Sequence, residues 1–246
     1  MSHHLLETRG LSYVYPDGTP ALRDVTCRFM HGESVAIIGA NGAGKSTLLL
    51  HLNGLLLPQS GEVRVGDLPV TAATRAQIHR TVGFVFQDPD DQLFMPTVQE
   101  DVAFGPLNMG LTVAEVQERV RAALESVGAA HLAARAPYRL SGGEKRAVAI
   151  AGVLAMSPSI LVLDEPTSGL DPSARRHLIT LLRSFAHTKV IATHDLDFVL
   201  EVCSRVVVMH QGGVQADGPP TAIFADEALL RRCHLEAPLS ATRSAR

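Results

Sequence analysis

The sequence is poor in cysteine, in long apolar runs and in net charge. Its three cysteines, Cys27, Cys203 and Cys233, are odd in number and widely spaced, which favours reduced thiols in a cytosolic protein over a disulfide framework. The first ten residues lack the basic and then apolar run of a signal peptide. The longest apolar stretch, AVAIAGVLAM at 147–156, is about half as long as a bilayer-spanning helix. A net charge of −3 gives no bulk electrostatic reason to expect a nucleic-acid partner.

Apolar residues make up 46% of the 246 residues and charged residues 19%, a balance typical of globular proteins. Apolar strand-like segments alternate with helical patterns, which predicts an α/β fold with a mostly parallel sheet. The start of the chain predicts an N-terminal antiparallel β part, and the middle third predicts an inserted α-helical subdomain. We therefore expect a single domain, 1–246, in which 1–96 and 157–216 form the core, 97–156 the helical subdomain and 217–246 a short tail.

The predicted elements follow from apolar periodicity and from capping residues. Thr112 and Glu115 form a capping box at the start of one helix, and Gly54 is placed to end another. The predicted strands are 5–15, 22–30, 34–39, 62–65, 82–86, 160–164, 189–193 and 205–209. The predicted helices are 45–53, 112–127 and 141–156, with further helices from Pro172 and after Asp195.

The segment GANGAGKST follows a buried strand and opens a helix, which is the context of a phosphate-binding loop. Gly42 and Gly44 lack a Cβ, so the backbone can wrap a phosphate with its N–H groups aimed inward. Lys45 can reach the β and γ phosphates, and the Ser46 hydroxyl can ligate Mg²⁺. We therefore predict a P-loop NTPase whose nucleotide is bound by Gly39, Ala40, Asn41, Gly42, Ala43, Gly44, Lys45, Ser46 and Thr47.

A pair of acids ends the apolar strand ILVLD at 160–164. A carboxylate at the tip of a buried strand is costly unless it faces a cation, so we predict that Asp164 is a direct or indirect partner of Mg²⁺. Glu165, one residue later, is the candidate to polarise the attacking water. The alternative for both residues is a solvated strand end.

The segment LSGGEKR at 140–146 places Ser141 at a helix N-terminus and two glycines in the first turn. Capping explains Ser141 but not Gly142 and Gly143, because glycine costs about 1 kcal/mol in a helix. Bare backbones at a helix N-terminus favour anion binding, so we predict a second anion cradle at Ser141, Gly142, Gly143 and Glu144. Two cradles with one lysine and one acid pair indicate a nucleotide held between two copies of the chain.

Three further residues follow strands and are weaker candidates. His194 is either a core histidine or a γ-phosphate contact. Tyr15 is either core or stacks on a purine ring. Gln87 is suited to hold Mg²⁺ or the water. Together they indicate one site at the carboxyl edge of the sheet. No histidine or cysteine spacing indicates a transition-metal site.

These segments, in this order, resemble the ATPase domain of ABC transporters over nearly the whole chain. The matching features are Tyr15, GANGAGKST, Gln87, LSGGE, ILVLDEP, SGLD at 168–171 and His194. The resemblance implies ATP and Mg²⁺ as cofactors. It also implies catalytic roles for Glu165, His194 and Gln87, and a D-loop role for Asp171. Glu144 stands where the family most often has glutamine, a departure that should not remove activity.

Residues 87–111 and 217–238 further resemble the ATPases of energy-coupling-factor importers. The tail is short and lacks the longer C-terminal extension of many vitamin-module ATPases, which favours the cobalt/nickel type. This implies a homodimer, a transmembrane coupling protein and a membrane substrate-binding subunit, with the chain peripheral on the cytoplasmic face of the membrane. The cargo would not touch this chain. A vitamin importer remains the alternative. A non-transport ABC ATPase is less favoured, because the chain has no coiled-coil insertion and only one such domain.

The segment GFVFQDPDDQLF at 83–94 combines acids with apolar residues directly after Gln87. An acidic solvated turn explains the acids but not the neighbouring apolar cluster. Apolar anchors with a charged rim are typical of a docking groove for a basic amphipathic helix. We therefore expect a cytoplasmic helix of the transmembrane subunit to bind Asp88, Asp90, Asp91, Leu93 and Phe94.

Overall fold

The computed structural model describes residues 6–240, so Leu5 of the predicted first strand and the last six residues of the predicted tail lie outside the described residues. Within 6–240 the strands are β1 (Leu6–Val14), β2 (Pro20–Phe29), β3 (Ser34–Ile38), β4 (Ser60–Val65), β5 (Leu68–Pro69), β6 (Val82–Val85), β7 (Ile160–Asp164), β8 (Thr188–Ala192), β9 (Arg205–His210) and β10 (Gly213–Gly218). The α-helices are α1 (Lys45–Asn53), α2 (Arg75–Thr81), α3 (Val98–Asn108), α4 (Val113–Ser126), α5 (Gly142–Leu154), α6 (Pro172–Ser184), α7 (Leu196–Val202), α8 (Pro220–Ala225) and α9 (Glu227–Arg232).

The central sheet has six strands in the order β10-β9-β3-β8-β7-β6. Every neighbouring pair is parallel except β9 and β10. Every residue of β3, β7 and β8 is buried, because helices and the second sheet cover both faces. This explains the continuous apolar runs of these strands. The predicted α/β class with a mostly parallel core is confirmed.

The second sheet is antiparallel and has the order β2-β1-β4-β5. It packs on one face of the central sheet, together with α1. Alternate residues of β3 separate the two cores: Val35 and Ile37 face the core beneath this second sheet, whereas Ala36 and Ile38 face the core beneath α3–α7. The side chains of a strand point alternately to opposite faces, which requires this division.

Helices α3, α4 and α5 lie between β6 and β7 in the chain and pack against one another. Their apolar side chains join the same core as α6 and α7. Among residues 6–240 no helix is long and apolar enough to cross a membrane. The three cysteines are buried and free.

Several elements were not predicted from the sequence: β5, α2, α3, β10, α8 and α9. The last two fold the tail onto the core through Ile223, Phe224, Leu229 and Leu230. Strand β10 continues to Gly218, beyond the predicted start of the tail at 217. Predicted ends of the other elements differ from the observed ends by up to two residues.

Candidate active site

The phosphate-binding loop connects β3 to α1, as its sequence context predicts. Gly44 precedes α1 with φ 97°, and a Cβ there would lie 2.6 Å from Ala21 O. A Cβ on Gly39 would lie 2.4 Å from Met209 O. The backbone conformation and the close approach of neighbouring strands therefore both demand glycine at Gly44, and the close approach alone demands it at Gly39.

Lys45 is buried beneath this loop and is only 8% exposed. Its Nζ donates hydrogen bonds to Gly39 O at 2.8 Å and to Ala40 O at 3.3 Å. The ammonium group of Lys45 is thus hydrogen-bonded to carbonyl groups of the loop itself. A bound phosphate would have to compete with these two acceptors for the ammonium group.

A cavity of about 460 Å³ opens above the loop. Besides Thr19, Pro20 and Ala21, its lining consists of residues that the sequence singled out: Tyr15, Asn41, Gly42, Ala43, Gly44, Lys45, Ser46, Thr47, Gln87 and Glu165. The topology brings them together because β3, β6 and β7 are parallel and end at the same edge of the sheet.

Tyr15 lies half-buried at the side of this cavity. Its hydroxyl is 3.0 Å from Thr47 Oγ1, and its ring packs edge-on against Tyr13 at a centroid distance of 5.2 Å. Tyr13 in turn contacts the buried His51 ring at 4.7 Å. These contacts place the Tyr15 ring beside the phosphate loop, and part of the ring remains exposed.

The two acids at the end of β7 differ in environment. Asp164 is 5% exposed, and its Oδ1 has no hydrogen-bond partner within the described residues. Burial raises the pKa of Asp164, while the hydrogen bond from Ser46 and the charges of Lys45 and Arg146 oppose the rise. A buried carboxylate oxygen without a donor, beside a hydroxyl, fits the ligand set of Mg²⁺, and Gln87 lines the adjacent cavity with an amide.

Glu165 is 7% exposed and has a positive φ of 45°, which is strained for a residue other than glycine. Its Oε2 accepts the backbone N–H of His194 at 3.2 Å and lies 2.7 Å from His194 Nδ1. The imidazole is mostly exposed, with 71% of its side-chain surface free. His194 therefore contacts Glu165 and is not a core histidine.

The structure does not bring the second cradle into the same cavity. Ser141 caps α5 through a capping box with Glu144. Gly143 and Asp171 line a separate cavity of about 320 Å³ between α5 and α6. Asp171 caps α6 by accepting the N–H groups of Ser173 and Ala174. Within one chain, these residues do not face the phosphate loop cavity.

Sequence reasoning missed the contacts that tie the Gln87 segment to α5. Arg146, 5% exposed, donates to Phe86 O at 2.9 Å, and burial lowers its pKa. Gln92 bridges Phe86 N–H and Ala149 O at 3.3 and 2.7 Å. Arg146 lies on the same face as Ala149, Ile150 and Val153. A charged residue in an apolar stripe was the available signal.

The acidic segment 88–95 makes several contacts within its own chain. Asp88 caps the 3-10 turn Pro89–Asp91 through Asp90 N–H. Asp90 pairs with Lys145 at 2.6 Å. Leu93 packs on the core, whereas Phe94 is 62% exposed.

An apolar groove of about 320 Å³ lies beside this segment. Phe94 and Phe104 line it and pack edge-on with their centroids 4.9 Å apart. Asp101 also lines it and is 8% exposed. Asp101 Oδ1 accepts the N–H groups of Phe94 and Met95, but Oδ2 is buried without a partner in the described part of the chain. Burial raises the pKa of Asp101.

Comparison with known proteins assigns the family. The model of the ABC transporter family matches residues 22–168. An ABC transporter ATP-binding protein of Geobacter sulfurreducens is 65% identical over 98% of this chain and 96% of its own. The energy-coupling factor transporter ATP-binding protein EcfA of Methanothermobacter thermautotrophicus is 51% identical over 96% of this chain and 78% of its own.

Two solved structures have the same fold. The cbiO1 protein of Clostridium perfringens, part of the ABC transporter complex cbiONQ, superposes with a TM-score of 0.81 at 42% identity and covers 94% of both chains. The dimeric ATP-binding cassette MJ0796, in a post-hydrolysis state with ADP and Pi, gives a TM-score of 0.80 at 28% identity over 87% of this chain and 98% of its own. Together with the cavity described above, these matches show that the chain belongs to the ABC transporter family, as an ATP-hydrolysing cassette with relatives of the energy-coupling-factor type.

Proposed function

We propose that this chain is the energy-coupling ATPase of an energy-coupling-factor importer whose cargo is cobalt or nickel ions. The observation that carries the ATPase role is the single cavity that gathers Tyr15, the phosphate loop, Gln87 and Glu165. The similarity to EcfA and to cbiO1 supports the importer type. Residues 87–111 and 217–238 carry the resemblance to energy-coupling-factor importers in general, and the cobalt/nickel assignment rests on the overall resemblance to ATPases of that type. A vitamin importer is the second candidate, since the EcfA relatives fit it equally.

The chemistry follows from the positions of the side chains. When bound, Mg²⁺ would neutralise charge on the phosphates, and Ser46, Gln87 and Asp164 would hold it. Lys45 would leave the carbonyls of Gly39 and Ala40 and turn to the phosphates. Glu165 would orient the attacking water and accept its proton, and His194 would keep the carboxylate in place.

The second cradle supports a site shared between two copies of the chain. A Cβ on Gly142 would meet nothing within 4 Å, and one on Gly143 would meet only Leu170 Cδ2 at 3.8 Å. Both lie in ordinary helical conformation, so packing within the chain requires neither glycine. The two bare backbones leave open space at the start of α5, which fits a nucleotide held by the phosphate loop of the second copy.

A mixing experiment tests this shared site. Chains carrying Lys45→Ala and chains carrying Gly143→Asp are combined in equal amounts, and occluded ATP is measured. If cradles pair between copies, both lesions fall in one site of the heterodimer and the other site stays intact. The mixture should then occlude ATP although neither variant alone does. No gain on mixing would show that each chain uses its own cradle.

The apolar groove supports docking of a basic amphipathic helix from the membrane partner. Phe94 supplies an exposed anchor and Asp91 an exposed acid, and Asp101 supplies a buried oxygen that has no donor among residues 6–240. Asp90 contributes less than its sequence suggests, because Lys145 already pairs with it. A cation from the partner would satisfy Asp101 Oδ2, which only a charged or hydrogen-bonding group can do.

The docking and the cargo are tested in one reconstituted system. Asp91→Lys and Phe94→Ser should weaken co-purification with the membrane subunits and slow uptake, while nucleotide binding by the isolated chain is retained. Asp67→Lys, in the exposed turn between β4 and β5, is the matched control. Uptake of Co²⁺ or Ni²⁺ by the wild-type complex supports the proposal. Uptake of a vitamin alone supports the second candidate. If both groove variants assemble and transport like the wild type, the groove is not the docking site.

A further inference from the structure

Arg175, on α6, joins this helix to Asp195, the N-cap of α7. Arg175 Nε donates to Asp195 Oδ2 at 2.8 Å, and Nη2 donates to Asp195 Oδ1 at 3.1 Å. Both side chains are 23% exposed. Two parallel charge-assisted bonds from a planar guanidinium fix the carboxylate in orientation as well as in distance.

Asp195 is held from two further sides. Its Oδ1 accepts the Phe198 N–H at 2.9 Å, which caps α7, and its own N–H donates to Thr193 Oγ1 at 3.1 Å. The Arg175 guanidinium also lies over the Phe198 ring, 6.0 Å from its centroid. Burial opposes ionisation of Asp195, but the bonds from Arg175 and Phe198 N–H outweigh it and lower its pKa. The residue is therefore a fixed, ionised anchor.

The contacts continue from this anchor to the acid of the active site. His194 directly precedes Asp195, and both its backbone N–H and its ring contact Glu165 Oε2. In the other direction, Arg175 N–H donates to Asp171 O at 2.9 Å, so Arg175 lies one helical turn after Asp171. An unbroken series of bonds thus runs from Asp171 to Glu165.

We infer that Arg175 is a positioning residue for ATP hydrolysis: by holding Asp195 it keeps His194 against Glu165 and links Glu165 to the segment around Asp171. The inference rests on the proposed roles of Glu165 and His194. Displacement of a catalytic group by about 1 Å can cost about 100-fold in rate, so loosening this series of bonds should affect turnover more than nucleotide binding.

The neighbouring arginine provides a matched control. Arg176 lies on the same helix and pairs with Glu201, which Arg175 also contacts. The Arg176 side chain is 64% exposed and makes no contact with Asp195. A purely structural role for charged residues on α6 would make Arg175→Gln and Arg176→Gln similar in turnover. A positioning role makes them differ.

The experiment compares kcat, KM for ATP and Tm for Arg175→Gln, Arg175→Lys and Arg176→Gln. Arg175→Gln should lower kcat by roughly 10-fold to 100-fold with KM changed by no more than about twofold. Arg175→Lys, which keeps the charge and one bond, should recover part of kcat, and it also serves if the glutamine variant does not fold. Arg176→Gln should match the wild type.

A Glu165→Gln background provides the decisive comparison. If Arg175 acts through Glu165, adding Arg175→Gln should lower the residual single-turnover rate very little, because the group being positioned is already impaired. Equal effects of the two arginine variants on kcat, or the same fold loss with and without Glu165, would overturn the inference. A wild-type chain without ATPase activity would instead refute the proposed function.

Discussion

Replacing Asp164 by asparagine should stabilise the nucleotide-free chain while weakening its response to magnesium and nucleotide. The side chain is 5% exposed and its Oδ1 lacks a donor in the described part of the chain. Burial raises its pKa above the usual range. Burial therefore makes the ionised carboxylate less stable in the folded chain than in the unfolded chain, where water solvates it. Asparagine keeps the shape and an acceptor for Ser46, and it removes the charge.

The size of the effect follows from the cost of a buried unsatisfied group, about 1–3 kcal/mol and more when it is charged. The new amide also lacks a full set of partners, so we expect a gain of about 1 kcal/mol, near the lower end of that range. For a chain of this size, that raises Tm by about 2–4 °C. A saturating ligand at about 100 times its Kd adds about 2.7 kcal/mol to the wild type. The order of the two melting temperatures should therefore reverse with Mg²⁺ and a non-hydrolysable ATP analogue.

Thermal melting of both proteins, with and without Mg²⁺ and the analogue, measures this directly. The pH dependence has a defined sign, because a raised folded-state pKa means that the penalty exists only when the carboxylate is ionised. The advantage of Asp164→Asn should be largest above the raised pKa and should vanish in acid, below the unfolded-state pKa. A nucleotide-free variant less stable than the wild type at neutral pH would refute the reasoning.

Two further predictions concern the contact of Tyr15 with the nucleotide and the buried Asp101 in the apolar groove. If the Tyr15 ring stacks on the base, Tyr15→Ala should weaken ATP binding by roughly 1–3 kcal/mol in calorimetric titration. Tyr15→Phe loses only the contact with Thr47 and should bind ATP nearly as tightly as the wild type. Unchanged affinity in the alanine variant would show that Tyr15 has only a packing role. Asp101→Asn should raise the Tm of the isolated chain at neutral pH, since burial raises the pKa of Asp101, and should weaken co-purification with the membrane subunits. A lower Tm for Asp101→Asn would show that the buried carboxylate does not destabilise the isolated chain.

Much of the fold was predictable because its determinants are local. The strands of the central sheet are continuous apolar runs, and the phosphate loop has its glycines between a strand and a helix. The missed helix α3 has a capping box at Thr97 and Glu100, but Gly105 and Pro106 interrupt its pattern. A Cβ on Gly105 would lie 2.6 Å from Met156 Cγ. A larger residue there would displace the Met156 side chain, so this packing favours glycine despite its low helix propensity.

Strand β10 was missed for a different reason. Its sequence, GVQADG, has few apolar residues, and its residues are only partly buried or exposed. It forms by pairing with β9 at the edge of the sheet. Such a strand is specified by its neighbour and not by its own pattern.

The residues of the site that line the cavity were predicted because each follows a strand or a glycine-rich loop. Arg146 and Arg175 were not, because their partners are distant in the sequence. Arg146 bonds to the carbonyl of Phe86, and Arg175 bonds to Asp195. Every residue has a backbone carbonyl, so the sequence does not indicate which one accepts a hydrogen bond. Two opposite charges twenty residues apart in the sequence cannot be distinguished from any other pair of surface charges.

Turnover and oligomeric state of Glu165→Gln in Mg²⁺ and ATP test the central claim most directly. Glutamine keeps the size of the side chain and loses its capacity to accept a proton, so turnover should fall by roughly 10²–10⁴-fold while ATP still binds. The chain should then accumulate as an ATP-bound dimer by mass photometry. Glu227→Gln, at a side chain that is 79% exposed, should behave as the wild type. Near-wild-type turnover of Glu165→Gln, or an ATP-bound variant that stays monomeric, would contradict the account.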